Sequence, residues 1–414
     1  MARLTVVSVA YALAEIGPDA VGGAEQVVSA LDHALVAAGH RSIVVAPSGS
    51  RVAGMHVATG PVPTAFDAQT REAAGRAQAA ALGRVLDDVR ADVVHLHSVD
   101  LHEHLPGCGR TPVLATLHLP VAFYPPALMA RADDGRVALQ FVSESQRRTA
   151  PPALAEAPVV PNGVGLSLFR PRGRRRGFAL ALGRICPEKR FDRALRAAAD
   201  ARVPLVIGGR VYPFPDHVRH FQDHIAPRLG PGARFAGPLD LSRKRRLLAA
   251  ARCLVVASEV AETSSLVALE ALASGTPVVA WRAGALPEIV EHGRTGFIVD
   301  TEAELADAIV AAAELSGDAC RRAAEVRFSA SRMFESYVAL YRQLAGRCND
   351  YIRTMDKPRD DSAEPRSNEA PAKPAPTDHD SHGTPFERVP GPGPKDQGKG
   401  AAGRDAIDRV ERNH

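Results

Sequence analysis

Short apolar runs alternate with longer helical segments along this chain, stop at an arginine-rich break, and begin again. In the first half Leu4–Ala10, Ser42–Ala46, Asp92–His97, Val113–His118 and Gln140–Ser143 read as strands, and Val159–Val160 as a last short one before Pro161. Ala24–Ala38 and Arg71–Arg90 read as helices. Apolar runs of four to six residues suit strands buried on both faces of a parallel sheet, with helices covering those faces. The segment RPRGRRRG (Arg170–Gly177) has no apolar periodicity and reads as an interdomain linker. Beyond it, Phe178–Leu182, Pro204–Gly208, Ala233–Ala236, Cys253–Ala257, Pro277–Ala280 and Gly296–Val299 read as strands. Helices are expected at Phe191–Ala201, Ser242–Ala251, after Thr263 and from Glu302. Two such halves predict an α/β chain of two doubly wound, Rossmann-like domains facing each other across a cleft. Ligands in that architecture sit at the C-terminal ends of the strands and between domains.

The expected divisions are residues 1–169, residues 170–325, a closing helix over 326–348, and a tail over 349–414. In the tail proline, glycine and charge displace apolar residues, so it cannot offset its ordering entropy and is expected to be disordered. The net charge of +4 is small for 414 residues and excludes a global nucleic-acid signature. Five scattered cysteines form no C-x-x-C pair, which argues against a disulfide framework or a structural zinc site and fits a cytoplasmic location. Met1–Ala14 resembles a weak signal peptide, but a first buried strand at Leu4–Ala10 fits the glycine turn and helix that follow. No apolar stretch reaches the roughly 18 residues of a membrane span.

The densest chemistry lies in AETSSLVALEALASGTPVVA, where Glu262 precedes a helix expected at Leu266–Ala273 and Glu270 sits about two turns inside it. Were both helical, eight steps would separate them by about 12 Å, a span that fits a nucleotide sugar. Thr263, Ser264 and Ser265 lie at the expected N-cap, beside N–H groups that favour phosphate. Gly22 and Gly23 open the helix at Ala24, where the backbone can approach an anion. His118 closes a strand, where this architecture places functional side chains. Arg184 and Lys189, after the first strand of the second half, offer a planar fork and a compact charge for a diphosphate. Arg174–Arg176 reads as solvated linker and Arg243–Arg246 as an exposed helix face. These two clusters carry the expectation of a peripheral contact with an anionic membrane face. His217, His220 and His224 share a helical face that reads as surface rather than as metal ligands, and His95, His97, His102 and His104 show no ligand pattern.

Taken in order, GGAEQ, TLH, VVPNGV, ALGRICPEK, FAGPL, the E-x7-E stretch and GALPEIVEHGRTGFIV resemble glycosyltransferase family 4, over about Leu4 to Leu344. The resemblance implies the GT-B fold and a retaining transferase that moves a hexose-type sugar from a nucleotide-diphosphate donor, UDP first and GDP second. It implies that Glu270 binds the ribose and that Glu262 faces the donor sugar with His118. Arg184, Lys189 and backbone around Gly23, Ser264, Ser265 and Leu266 would hold the diphosphate. The closing helix would cross back to the first domain. No resident metal or cofactor is expected, the donor being a co-substrate; the acceptor, whether lipid, glycan or small molecule, is left open. Three positions depart from the family pattern: Ser264-Ser265 stand for Phe-Gly, Gly165 for Asp and Arg190 for Gly. A nucleotide-sugar epimerase or hydrolase on the same scaffold, or a non-catalytic binding subunit, are the competing readings.

Overall fold

A computed structural model describes residues 2–20, 22–63, 67–100, 104–130 and 136–355. The first sheet is built from β1 (Thr5–Val9), β2 (Arg41–Ala46), β3 (Met55–Ala58), β4 (Val93–Leu96), β5 (Val113–Leu117) and β6 (Val137–Phe141). The second is built from β7 (Ala179–Leu182), β8 (Leu205–Gly208), β9 (Ala233–Phe235), β10 (Cys253–Val256), β11 (Val278–Trp281) and β12 (Gly296–Val299). The orders are β3-β2-β1-β4-β5-β6 and β12-β11-β10-β7-β8-β9, with every named pairing parallel. Each sheet therefore reverses its winding once, between β1 and β4 and between β7 and β10. In open α/β sheets ligands sit beside such reversals, off the carboxyl ends of the strands.

The buried runs explain the strands. Val6, Val7 and Val9 of β1 and Leu254 and Val255 of β10 are almost wholly inaccessible, as central strands covered on both faces require. Leu4–Ala10 is thus a central strand of the first sheet. β3 was not foreseen: MHVA is a short edge strand whose Met55 is 50% exposed, so it lacks an apolar run.

A helix spanning Ala330–Met355 returns to the first sheet. Its Met333, Tyr337, Val338, Tyr341 and Leu344 meet Val6, Leu31, Leu35, Val93 and Leu114 in one apolar cluster. Each fully buried leucine of that cluster contributes about 1.5–3 kcal/mol. The helix runs seven residues past the expected boundary at Asn349, and the remainder of the expected tail, residues 356–414, lies outside the described residues.

Three readings of basic or polar segments are corrected by packing. Arg175 is not solvated linker: its guanidinium donates to the carbonyls of Arg252, Ala312, Ala313 and Leu315. His217 and His220 are buried rather than on a surface face, because the helix Pro215–His220 turns them inward. Lys244, within the supposedly exposed run Arg243–Arg246, reaches a buried carboxylate.

Candidate active site

The two sheet reversals face one another across a cavity of about 620 Å³. Gly23 and His118 line it from the first sheet, and Arg184, Lys189, Glu262, Ser264, Ser265, Leu266 and Glu270 from the second. All nine residues singled out in the sequence therefore meet in one space. The helices Gly23–Ala37 and Leu266–Ala273 bring their N-termini together, since a Cβ on Gly23 would lie 3.4 Å from Leu266 Cδ1. Ser265 occupies the N-cap position, yet its side chain makes no capping bond, which leaves the first N–H groups to an outside acceptor. Thr263, expected near the cap, instead donates its hydroxyl to the His118 carbonyl at 2.6 Å and ties the two halves together. A second tie crosses nearby: Glu288 accepts the N–H groups of Glu144 and Ser145, capping a first-sheet helix from the second half.

Arg184 follows β7 and its Nη1 is buried without a partner among the described residues. An unpaired buried donor of that kind has no compensation until an anion arrives. Lys189 donates to Glu262 Oε1 at 2.6 Å, so the cation and the acid first assigned to separate tasks form one pair. Gly284 lets the Glu262 loop sit there: its φ of +52° is left-handed, and a Cβ would fall 2.2 Å from the Glu262 carbonyl oxygen. Arg190, where the family pattern has glycine, also adopts left-handed φ, +49°, held by ion pairs to Asp192 and Glu259. Glu270 is 3% exposed. Burial lifts its pKa above the usual carboxylate range, and Lys244 at 2.6 Å opposes that rise.

Several cleft groups were missed in the sequence. Glu25 in the first turn of its helix is buried; burial raises its pKa, opposed by its own backbone N–H and by Arg184. Asn162 Oδ1 is buried at the cleft wall without a partner among the described residues. His97 Nδ1 lies 3.0 Å from His118 Nε2. Burial pulls His118 down to about 4 and holds His97 well below the usual imidazole value, so both rings are neutral near pH 7. Behind them His95 is pinned by Tyr341 at 2.7 Å and Thr116 at 2.8 Å. Thr116 spends its proton on Gln140 Oε1, so His95 Nε2 must donate to Thr116 and Nδ1 must accept from Tyr341. The signal for this cluster was present in the sequence. His95 in β4 and His97 just past its end are two residues apart and fall on one face, as do Thr116 in β5 and His118 just past its end, and Tyr337 and Tyr341 share a helix face.

The family model described as Glycosyltransferase Family 4 matches residues 21–168, and the model described as Glycosyl transferases group 1 matches residues 177–314. Fold and site together define the GT-B class. The chain belongs to glycosyltransferase family 4. The D-inositol 3-phosphate glycosyltransferase of Nocardioides sp. is 36% identical over 171 residues, which cover 34% of this chain and 37% of that relative. The protein of the same name from Mycobacterium leprae is 34% identical over 219 residues, covering 46% and 50%. The chain thus aligns with half or less of the length of these relatives. Among solved structures, AviGT4, a glycosyltransferase involved in avilamycin A biosynthesis, superposes with a TM-score of 0.61 at 25% identity, over 83% of this chain and 98% of that one. The sucrose-phosphate synthase of Thermosynechococcus elongatus shares the fold at a TM-score of 0.69 and 22% identity, over 83% and 100%. Anabaena HepE, solved with UDP and glucose, shares it at 0.66 and 18%, over 82% and 100%.

Proposed function

We propose that the chain is a retaining glycosyltransferase that moves a hexose-type sugar from a nucleotide-diphosphate donor, UDP first and GDP second, to an acceptor held by the first-domain loops. The observation that carries this reading is the convergence of Arg184, two helix N-termini and two acids on one cleft. In this reading the diphosphate bridges Arg184 and the N–H groups around Ser264–Leu266, and competes with Glu262 for Lys189. Glu270 accepts from the ribose hydroxyls. Glu262 and neutral His118 hold the donor sugar.

When the bond from C1 to phosphate oxygen breaks, its electron pair stays on the diphosphate. Fixed cations and helix dipoles aimed there stabilise the charge as it develops. The acceptor oxygen then bonds to C1 from the face the phosphate leaves, and its proton passes to the departing phosphate oxygen. That route retains configuration without a protein nucleophile, and the positive field that it needs comes from side chains and helix ends. HepE, of the same fold, was solved with UDP and glucose, which favours UDP as first choice.

A thermal-shift series against UDP, GDP, ADP and TDP, each with its sugars, identifies the donor by mass-action stabilisation. NMR of the products from acceptor mixtures then reads the anomeric configuration. A transferred α-sugar from an α-linked donor is expected. Free sugar or an isomerised donor, with no transfer to any acceptor, would refute the assignment.

A further inference from the structure

In the proposed site Glu270 has one oxygen free and the other held, and the group holding it comes from outside the cleft. Lys244 lies on the helix Leu241–Ala250, within a run of four basic residues. Its Nζ donates to Glu270 Oε1 at 2.6 Å and stands 5.5 Å from the centre of the Phe169 ring. Glu270 lines the cleft, whereas Lys244 lies behind it. Glu270 Oε2 is buried without a partner among the described residues.

An acid at that depth is driven toward its neutral form, and Lys244 is the main force against it. The difference matters for recognition. An ionised carboxylate accepts charge-assisted hydrogen bonds about twice as strong as those of a neutral group. Orientation matters as well: with Oε1 fixed, rotation of the carboxylate is blocked and Oε2 has one direction left. A lysine on an outer helix run ordinarily stays in water, because ordering a long side chain costs entropy and surface pairs return little. Lys244 departs from that default while Ser242 and Arg246 of the same helix remain exposed.

We propose that Lys244 is a positioning residue of the nucleotide site, holding the Glu270 carboxylate so that Oε2 faces the ribose hydroxyls. The proposal rests on the reading of Glu270 given under Proposed function. It adds that ribose recognition depends on a cation that never touches the nucleotide.

Calorimetry on the full chain tests it, using whichever of UDP, GDP and ADP binds most tightly together with its 2′-deoxy form. The wild type is expected to prefer the ribonucleotide by roughly tenfold or more, the worth of a charge-assisted bond. Lys244→Met is expected to bring that ratio close to one while changing 2′-deoxy binding by about twofold or less. Lys244→Arg, which restores the charge, is expected to recover most of the preference. A Lys244→Met protein that keeps the wild-type ratio would overturn the proposal. So would an equal loss for both nucleotides, which marks a purely structural role. If the wild type itself binds the two forms equally, the ribose assignment of Glu270 fails, and the role of Lys244 with it. Should Lys244→Met not fold, Lys244→Gln carries the same comparison.

Discussion

Replacing Arg184 by methionine separates binding from stability in a way few other positions here allow. The Arg184 Nη1 is buried in the cleft wall with no partner among the described residues. In the empty protein Nη1 bears a desolvation cost that no hydrogen bond among the described residues offsets, while the guanidinium attracts the Glu25 carboxyl and the Cys186 thiol and opposes the rise that burial gives each. Removing it is therefore expected to cost the empty protein little, about 1 kcal/mol at most, and relief of a buried donor without a hydrogen bond pushes the other way. With a diphosphate in place the balance reverses. Each hydrogen bond to a charged group is worth about 1.5–3 kcal/mol, so Arg184→Met is expected to weaken nucleotide binding by roughly 10- to 150-fold. Calorimetry of the nucleotide complex and a melting curve of the empty protein read the two effects independently. Nucleotide affinity within twofold of wild type would refute the diphosphate assignment. A large fall in the melting temperature of the empty protein would refute the claim that the cation stands unpaired before the ligand arrives.

Gly284→Ala places a methyl group against the Glu262 carbonyl at a left-handed backbone position, so the Glu262 loop must shift. A displacement near 1 Å at a reacting centre costs on the order of 100-fold, and steady-state kinetics with the donor are expected to show a loss of that size. Arg190→Gly relieves a left-handed side chain worth about 1–2 kcal/mol and gives up two partly exposed ion pairs worth about as much together, so urea melts are expected to stay within about 1 kcal/mol of wild type. Acid is expected to destabilise the fold between pH 6.5 and about 4. In that window an unfolded His118 binds a proton that the folded ring refuses, so stability falls as pH falls. The slope integrates to about 3 kcal/mol at most, less because the ring is partly open to the cleft. Melting temperatures of wild type and His118→Asn across that range check it; the variant should show a shallower decline.

Legibility followed the physics of each residue's surroundings. Strands such as Val113–Leu117 and Cys253–Val256 announced themselves because both faces are buried and no polar alternation interrupts them. Met55–Ala58 did not, because an exposed edge imposes no such pattern. Glu262, Glu270, Arg184 and Lys189 were legible as a set through motif order, but the Lys189–Glu262 pair was not, since the partners are 73 positions apart and meet only through the fold. Lys244 was within reach of a closer reading. It lies one helical turn before the buried Leu248, so helix periodicity alone puts it on the inward face of a run that looks uniformly solvated. Ser265 shows the opposite error: its type and position were those of a cap, yet the hydroxyl leaves the helix end open toward the cleft.

The central claim is that the space between the two sheet reversals receives a nucleotide diphosphate, and a crystal structure of the chain with its preferred nucleotide tests it most directly. The account predicts diphosphate oxygens within hydrogen-bonding distance, about 2.7–3.2 Å, of Arg184 and of backbone N–H groups at the start of the helix Leu266–Ala273, with ribose hydroxyls on Glu270. A nucleotide seated elsewhere, with Arg184 and Glu270 untouched, would contradict it.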